Sequence, residues 1–248
     1  MHGTARIAVC AAALANAWPA PSPTPPRPHP SFIAARIPGE DAFLINDYRL
    51  LWEEITASSL RRVPLREADR SDEQGKPGVR RAWFNEASLE GATAMFQNRS
   101  EAACFLHTHT LATSTVGSLE GGLLPVSQPG IMLANDVAHS HFDFFQPGDE
   151  TVAAMGGKRA MLQKWHGAFV AGASLGQCFY IALSLDRACE AQRALLSTGA
   201  PFHVPAPADV ARWSQAYVDD PFYGGYDGER VWEGMLRKAR RLQPDFAQ

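Results

Sequence analysis

The sequence predicts an α/β layered domain, on three observations. Short apolar runs of strand length are interspersed with segments of helical periodicity. Pro-Gly and Gly-Gly pairs separate them. The chain has 248 residues, 46% of them hydrophobic and 20% charged, which is globular usage and long enough to bury a sizeable core.

Residues 1–17 read MHGTARIAVCAAALANA. Arg6 precedes the apolar run Ile7 to Leu14, and the small-x-small triplet Ala15-Asn16-Ala17 follows. That is the outline of a secretory signal peptide. An Ala-rich first helix is the other reading. Because the n-region carries a single charge and the apolar run is short, the expected location is the cytoplasm, with secretion as the alternative. On export, Asn98-Arg99-Ser100 would be a glycosylation acceptor. Residues 18–30 hold seven prolines, which exclude helix and central strand and predict a stiff extended linker. The expected organisation is therefore a leader and linker over 1–30 and one domain over 31–248.

Phe32 to Ile37 and Ala42 to Ile45 read as two strands joined at Pro38-Gly39. Residues 66–80 are polar and bear Gly and Pro, so they read as an exposed loop. Ser88 to Asn98 is rich in helix formers, and Ala102 to Thr110 reads as a strand. Gly121-Gly122 and Gly156-Gly157-Lys158 mark turns. Ala160 to Trp165 and Ala168 to Val170 read as a strand broken at His166-Gly167. Ser174 to Leu196 is the clearest helix. Leu175, Cys178, Phe179, Ala182, Leu185 and Cys189 fall at helical spacing, Ser174 and Gln177 form a capping box, and Gly199 stands at the stop. A last helix, Glu229 to Leu242, turns basic toward its C-terminal end, where cations complement the helix dipole.

The charge balance, 23 Lys+Arg against 26 Asp+Glu, gives a net charge of −3 and disfavours a nucleic-acid partner. No run approaches the roughly 18 apolar residues of a membrane span, so no membrane partner is expected. The four cysteines form no C-x-x-C pair, which argues against a disulfide scaffold or a cysteine zinc module.

The histidines are more informative. His107-Thr108-His109 ends a predicted strand, and residues two apart on a strand share a face. Two imidazoles so placed can chelate one divalent cation. His166, at another predicted strand end, would complete an open three-histidine site of the catalytic zinc type. His139-Ser140-His141 is a competing H-x-H, and spacing alone does not choose between the pairs. Hydrogen-bonded structural histidines are the plain alternative.

The stretch RSEAACFLHTHTLATSTVGSLEGGLLP, residues 99–125, resembles the metal-binding segment of the class II aldolase/adducin family. So does MLQKWHGAFVAGASLGQCFYIALSLDRACEAQ, residues 161–192. Residues 32–60 and 232–246 resemble its adducin-like branch. The resemblance implies a three-layer α/β/α sandwich around a largely antiparallel, mixed sheet, class II aldolase-like. It also implies assembly as a homo-oligomer, commonly a tetramer. It makes His107, His109 and His166 the metal ligands, for Zn2+ or alternatively Fe2+ or Mn2+, and leaves His139 and His141 as bystanders or as groups that support the ligands from behind. The implied activity is that of a metal-dependent lyase (retro-aldol cleavage, dehydration or decarboxylation) on a small-molecule carbonyl substrate.

Several positions depart from that pattern. The aldolases carry an acidic residue nineteen before the first metal histidine, and here that position is Ser88. Glu86 and Glu90 lie two residues to either side. On an extended segment a two-residue shift keeps the same face, which makes Glu90 the candidate acid/base; a solvated surface carboxylate is the alternative. Around Phe32 to Arg36 the family's phosphate-binding polar residues are replaced by Phe32 and Ala34, with only Arg36 matching. The second phosphate loop reads Asn46-Asp47-Tyr48-Arg49 where relatives end in glycine. The expected substrate is therefore a non-phosphorylated hydroxy-carbonyl compound. Tyr217, Tyr223 and Tyr226 are candidate proton donors from the C-terminal region. A non-heme iron oxygenase on the same fold and a non-catalytic adducin-like scaffold are the competing readings.

Overall fold

The computed structural model describes residues 31–66, 85–220, 226 and 228–247. The leader and linker expected over residues 1–30, most of the loop at 66–80, and Tyr223 lie outside the described residues.

Seven strands form one sheet: β1 (Phe32–Arg36), β2 (Ala42–Ile45), β3 (Arg61–Pro64), β4 (Cys104–Thr108), β5 (Val137–His141), β6 (Ala160–Lys164) and β7 (Ala168–Gly172). Their order across the sheet is β3-β2-β1-β4-β7-β6-β5. Every pairing is antiparallel except β5 with β6. The sheet is thus mixed and largely antiparallel, as the family resemblance implies.

The described helices are α1 (Glu86–Asn98), α2 (Leu111–Gly117), α3 (Gln128–Leu133), α4 (Gly148–Met155), α5 (Leu175–Ser197), α6 (Pro207–Asp219) and α7 (Glu229–Leu242). Side chains alternate across each strand, so the sheet has two apolar faces. On one face Phe32, Ala34, Phe43, Phe105 and Phe169 pack against Ala92, Met95 and Phe96 of α1 and Val152 and Met155 of α4. On the other, Ile33, Ala35, Leu44, Leu106 and Val170 pack against α2, α3, α5 and α7, with Phe179, Leu185, Leu133 and Trp232 among the contacts. Helix, sheet and helix layers follow from that two-sided burial.

Local chemistry sets the helix ends. Asn85, Thr110, Ser127 and Ser174 each accept a hydrogen bond from a first-turn backbone N–H. The box at α5 is displaced by one residue: Ser174 Oγ accepts from Gln177 N, while Gln177 Oε1 accepts from Ala173 N, not Ser174 N. Cys178, Phe179, Ala182, Leu185 and Cys189 of the predicted stripe are buried, and Ile181 and Ala188 widen it. Gly199 takes φ +65° just past the helix end. Cys104, Cys178 and Cys189 are buried free thiols. Among the described residues no helix is long and apolar enough to cross a membrane.

Two readings need correction. Helix α1 begins at Glu86, so Glu86, Ser88 and Glu90 are helical, not extended. The "broken strand" is two strands, β6 and β7, paired antiparallel in a hairpin whose turn carries His166.

Candidate metal centre

His107 lies on β4, the central strand of the sheet, facing the α1/α4 side with Phe105. It is buried. Its register partners are Phe32 on β1 and Phe169 on β7. The Phe169 ring stacks on it at 4.0 Å and 11°, and Phe32 stands 5.7 Å away. Nδ1–H of His107 donates to the Ala168 carbonyl at 2.9 Å. That bond selects the tautomer and leaves Nε2 as a bare acceptor.

His109, two residues on, brings its ring centroid to 4.4 Å from His107, and the two Nε2 atoms are 2.5 Å apart. His166 enters from the β6–β7 turn, its ring 4.8 Å from His107 and 4.3 Å from His109. Its Nδ1–H donates to Gln163 Oε1 at 2.6 Å. Gln163 is buried, and its own amide donates to the His141 carbonyl at 3.2 Å, which fixes which end of the amide faces the imidazole. One potential ligand atom from each histidine lies within 4.8 Å of the other two.

The turn that presents His166 is braced from α2. Trp165 adopts φ +59°, a left-handed conformation that costs a non-glycine residue energy. Its N–H donates to Ser118 Oγ at 2.9 Å, and Ser114 Oγ donates to the His166 carbonyl at 2.6 Å. The next residue has to be glycine. A Cβ on Gly167 would sit 2.2 Å from the Thr108 carbonyl oxygen and 3.0 Å from a His109 ring carbon. The other arm is held from α5: Thr110 Oγ1 donates to the buried Asp186 at 2.5 Å and accepts from Thr113 N at 3.1 Å.

Neutral imidazoles are what a cation needs. Burial pushes His107 well below its ordinary value; the charges of His109 and His166 add to this, and the Ala168 bond only partly opposes it. Burial lowers His166 to about 4. A tetrahedral zinc with bonds of about 2.0–2.1 Å holds its ligands roughly 3.3 Å apart. The separations here, from 2.5 Å up to at most 4.8 Å, bracket that figure. The donor set fits a divalent ion of the zinc type, and three protein ligands leave a coordination position open.

The locked tautomers give two expectations. Gln163→Leu should weaken zinc affinity by about 10- to 100-fold, as loss of an orienting partner does, in a chelator competition titration. For the metal-free protein, the depressed histidines mean that the unfolded chain binds protons first as pH falls. Stability should therefore be lost as pH falls below about 6.5, the His166 contribution being spent by about pH 4 and the more deeply buried His107 adding to the loss in the same direction. Thermal melts in chelator across that range check it; a flat melting temperature would contradict the buried, neutral rings.

The remaining candidates lie elsewhere. His139 Nε2 accepts from Leu123 N at 3.2 Å, and a Cβ on Gly122 would fall 2.3 Å from that nitrogen, so His139 packs the Gly121–Gly122 turn. His141 is exposed, 6.0 Å from the Trp165 ring. Ser88 is buried and Glu90 exposed. Two residues on a helix turn through about 200°, so the shared-face reason for choosing Glu90 fails. Buried Tyr226 donates its hydroxyl to the Met132 carbonyl at 2.7 Å and lies under Arg159. Tyr217 accepts from Gln128 Nε2 at 2.9 Å. Arg36 donates to the Phe96 and Ala102 carbonyls, and Asn46 Oδ1 accepts from Ile33 N at 2.8 Å. Burial would raise the Asp47 carboxyl, but hydrogen bonds and charge from Arg49, with Arg61, outweigh it and hold the group below its usual value.

Sequence reasoning missed Gln163, Asp186 and Phe142, whose ring lies 4.3 Å from His166. Gln163 sits in an otherwise apolar strand three residues before the histidine, a weak signal that was available. Asp186 lies mid-helix, 76 residues from its partner Thr110, and left none.

An α/β/α sandwich with three imidazoles converging at one end of a largely antiparallel sheet is a cation-competent fold of a recognisable class. Residues 31–193 match the model of the class II aldolase and adducin N-terminal domain, and the chain belongs to that family. A Pseudomonas aeruginosa protein provisionally named an aldolase class 2 protein is 29% identical over 223 residues, covering 87% of this chain and 83% of the relative. Mouse alpha-adducin is 32% identical over 175 residues, 68% of this chain but only 23% of the adducin. Among solved structures, an aldolase II superfamily protein from Pseudomonas syringae superimposes with a TM-score of 0.80 at 25% identity, covering 98% of this chain and 94% of the other. The L-fuculose 1-phosphate aldolase of Glaciozyma antarctica shares the fold, with a TM-score of 0.77 at 17% identity over 99% of this chain and 91% of its own.

Proposed function

We propose that the protein is a divalent-metal-dependent, lyase-type enzyme acting on a non-phosphorylated hydroxy-carbonyl compound. His107, His109 and His166 would hold the ion, with Zn2+ as first choice and Fe2+ or Mn2+ as alternatives. The carrying observation is that three imidazoles converge with two of their tautomers locked by Ala168 and Gln163. When bound, such an ion supplies Lewis-acid polarisation of a carbonyl or enediolate oxygen. The chain's own contribution is orientation. β4 fixes His107, the Thr110–Asp186 bond fixes the segment after His109, and the Ser114–Ser118 brace fixes His166. Buried Phe32 and Phe169 keep water from one side of the His107 ring, which strengthens electrostatic interactions there. A cytoplasmic homo-oligomer, with the domain beginning near residue 31, belongs to the same reading.

Similarity to adducin favours a second reading, a non-catalytic scaffold. Elemental analysis of the purified protein separates the two, coupled to a screen of hydroxy-carbonyl compounds under air and under anoxia. About one zinc, iron or manganese per chain together with turnover supports the enzyme, and oxygen dependence would redirect it to an iron oxygenase. A metal-free protein with unchanged assembly would sink the enzyme reading.

A further inference from the structure

The side chains around the three histidines are aromatic. Phe169 stacks on His107, Phe32 approaches the same ring, and Phe142 lies tilted against His166 at 4.3 Å and 35°. Phe32 and Phe169 are buried and form the wall behind the site, whereas Phe142 is half-buried and lies at its edge, just past the end of β5. The apolar character continues outward. Leu111, Phe144, Phe145 and Trp165 are 64%, 79%, 88% and 70% exposed, each within three residues of His109, Phe142 or His166.

Cations on the neighbouring strands are turned elsewhere. β4 and β7 carry none. Arg36 of β1 is spent on two backbone carbonyls and on the Phe96 ring. Lys164 of β6 acts on His139, whose ring contacts Gly122 on the far side of the sheet from His107.

We infer that the substrate carries an aryl or comparably apolar group beside its chelating oxygens, and that Phe142 is the specificity-determining residue that selects it. This deepens, and rests on, the metal-enzyme reading above. A ring placed against Phe142 gains apolar burial and ring–ring contact, while strands β4 and β7 offer an anionic group no counter-charge.

The test uses the zinc-loaded full chain and three probes with the same chelating head: acetohydroxamate, benzohydroxamate and phosphonoacetohydroxamate, titrated calorimetrically. Benzohydroxamate is expected to bind about tenfold tighter than either of the others. In Phe142→Ala the benzo-to-aceto ratio should fall to near unity, and Phe142→Leu should keep an intermediate ratio. Equal affinities, or tightest binding of the phosphonate, would overturn the inference while leaving the metal reading standing. Failure of the full chain to take up zinc would remove the metal reading and the inference with it, whereas zinc uptake with no binding of benzohydroxamate would overturn the inference alone. If Phe142→Ala does not retain zinc, the wild-type ranking and the Leu variant decide the matter.

Discussion

Replacing His166 by alanine is expected to release the metal while leaving the fold standing. The residue sits in a turn whose main-chain bonds, from Ser114 to its carbonyl and from its N–H to Gln163, do not involve the imidazole. Stability should change by about 1 kcal/mol, from lost contact with Phe142 and Phe169. Metal affinity should fall by more than about 100-fold, because loss of an orienting partner alone costs up to that much and here a ligand itself is gone. Turnover should fall with it. Zinc titration against a chelating dye, with circular dichroism as the fold control, reads both. Retained stoichiometric zinc in this variant would show that the ion, where present, is held without residue 166.

Gly167→Ala should be the most damaging single methyl in the molecule's site. The added Cβ would stand 2.2 Å from the Thr108 carbonyl oxygen, backbone of the neighbouring strand that cannot rotate away, and 3.0 Å from the His109 ring. Either the β4–β7 ladder opens at its Thr108–Ala168 end, or the His166 turn lifts off. Overpacking of this kind costs about 3 kcal/mol. For a chain of this size that is a drop of roughly 6–12 °C in melting temperature. Because the same methyl pushes on two of the three histidine-bearing segments, zinc affinity should fall as well. A variant that melts normally and binds zinc normally would contradict the described approach of the hairpin to β4.

How much of this could be read from residues depended on the physics of each element. Strands β1 and β2 and helices α5 and α7 were legible because apolar runs, caps and breakers agreed there, whereas β6 and β7 were read as one broken strand and not as a hairpin. Helix α7 has the predicted limits, Glu229–Leu242. Strands β3 (RRVP) and β5 (VAHSH) were not, because edge strands bury little and carry polar residues, Pro64 among them. Helices α3 and α4 are short, and α3 contains Pro129 and Gly130, which read as a turn. The shared-face reason for Glu90 fails because it runs at a period of two, while α1 turns at 3.6 residues.

By itself, the sequence determined the α/β class, the two-residue spacing that puts His107 and His109 on one face, and the glycine after His166. The first two follow from local periodicity; the glycine is legible as a residue, but the need for it, the approach of the Thr108 carbonyl, is tertiary. Only the tertiary structure decided that His166 meets the pair, that Gln163 and Ala168 set the tautomers, that Asp186 reaches Thr110 across 76 residues, and that the surrounding walls are phenylalanine. Those contacts join strands and helices distant along the chain, and sheet order, which no local propensity encodes, is what brings them together.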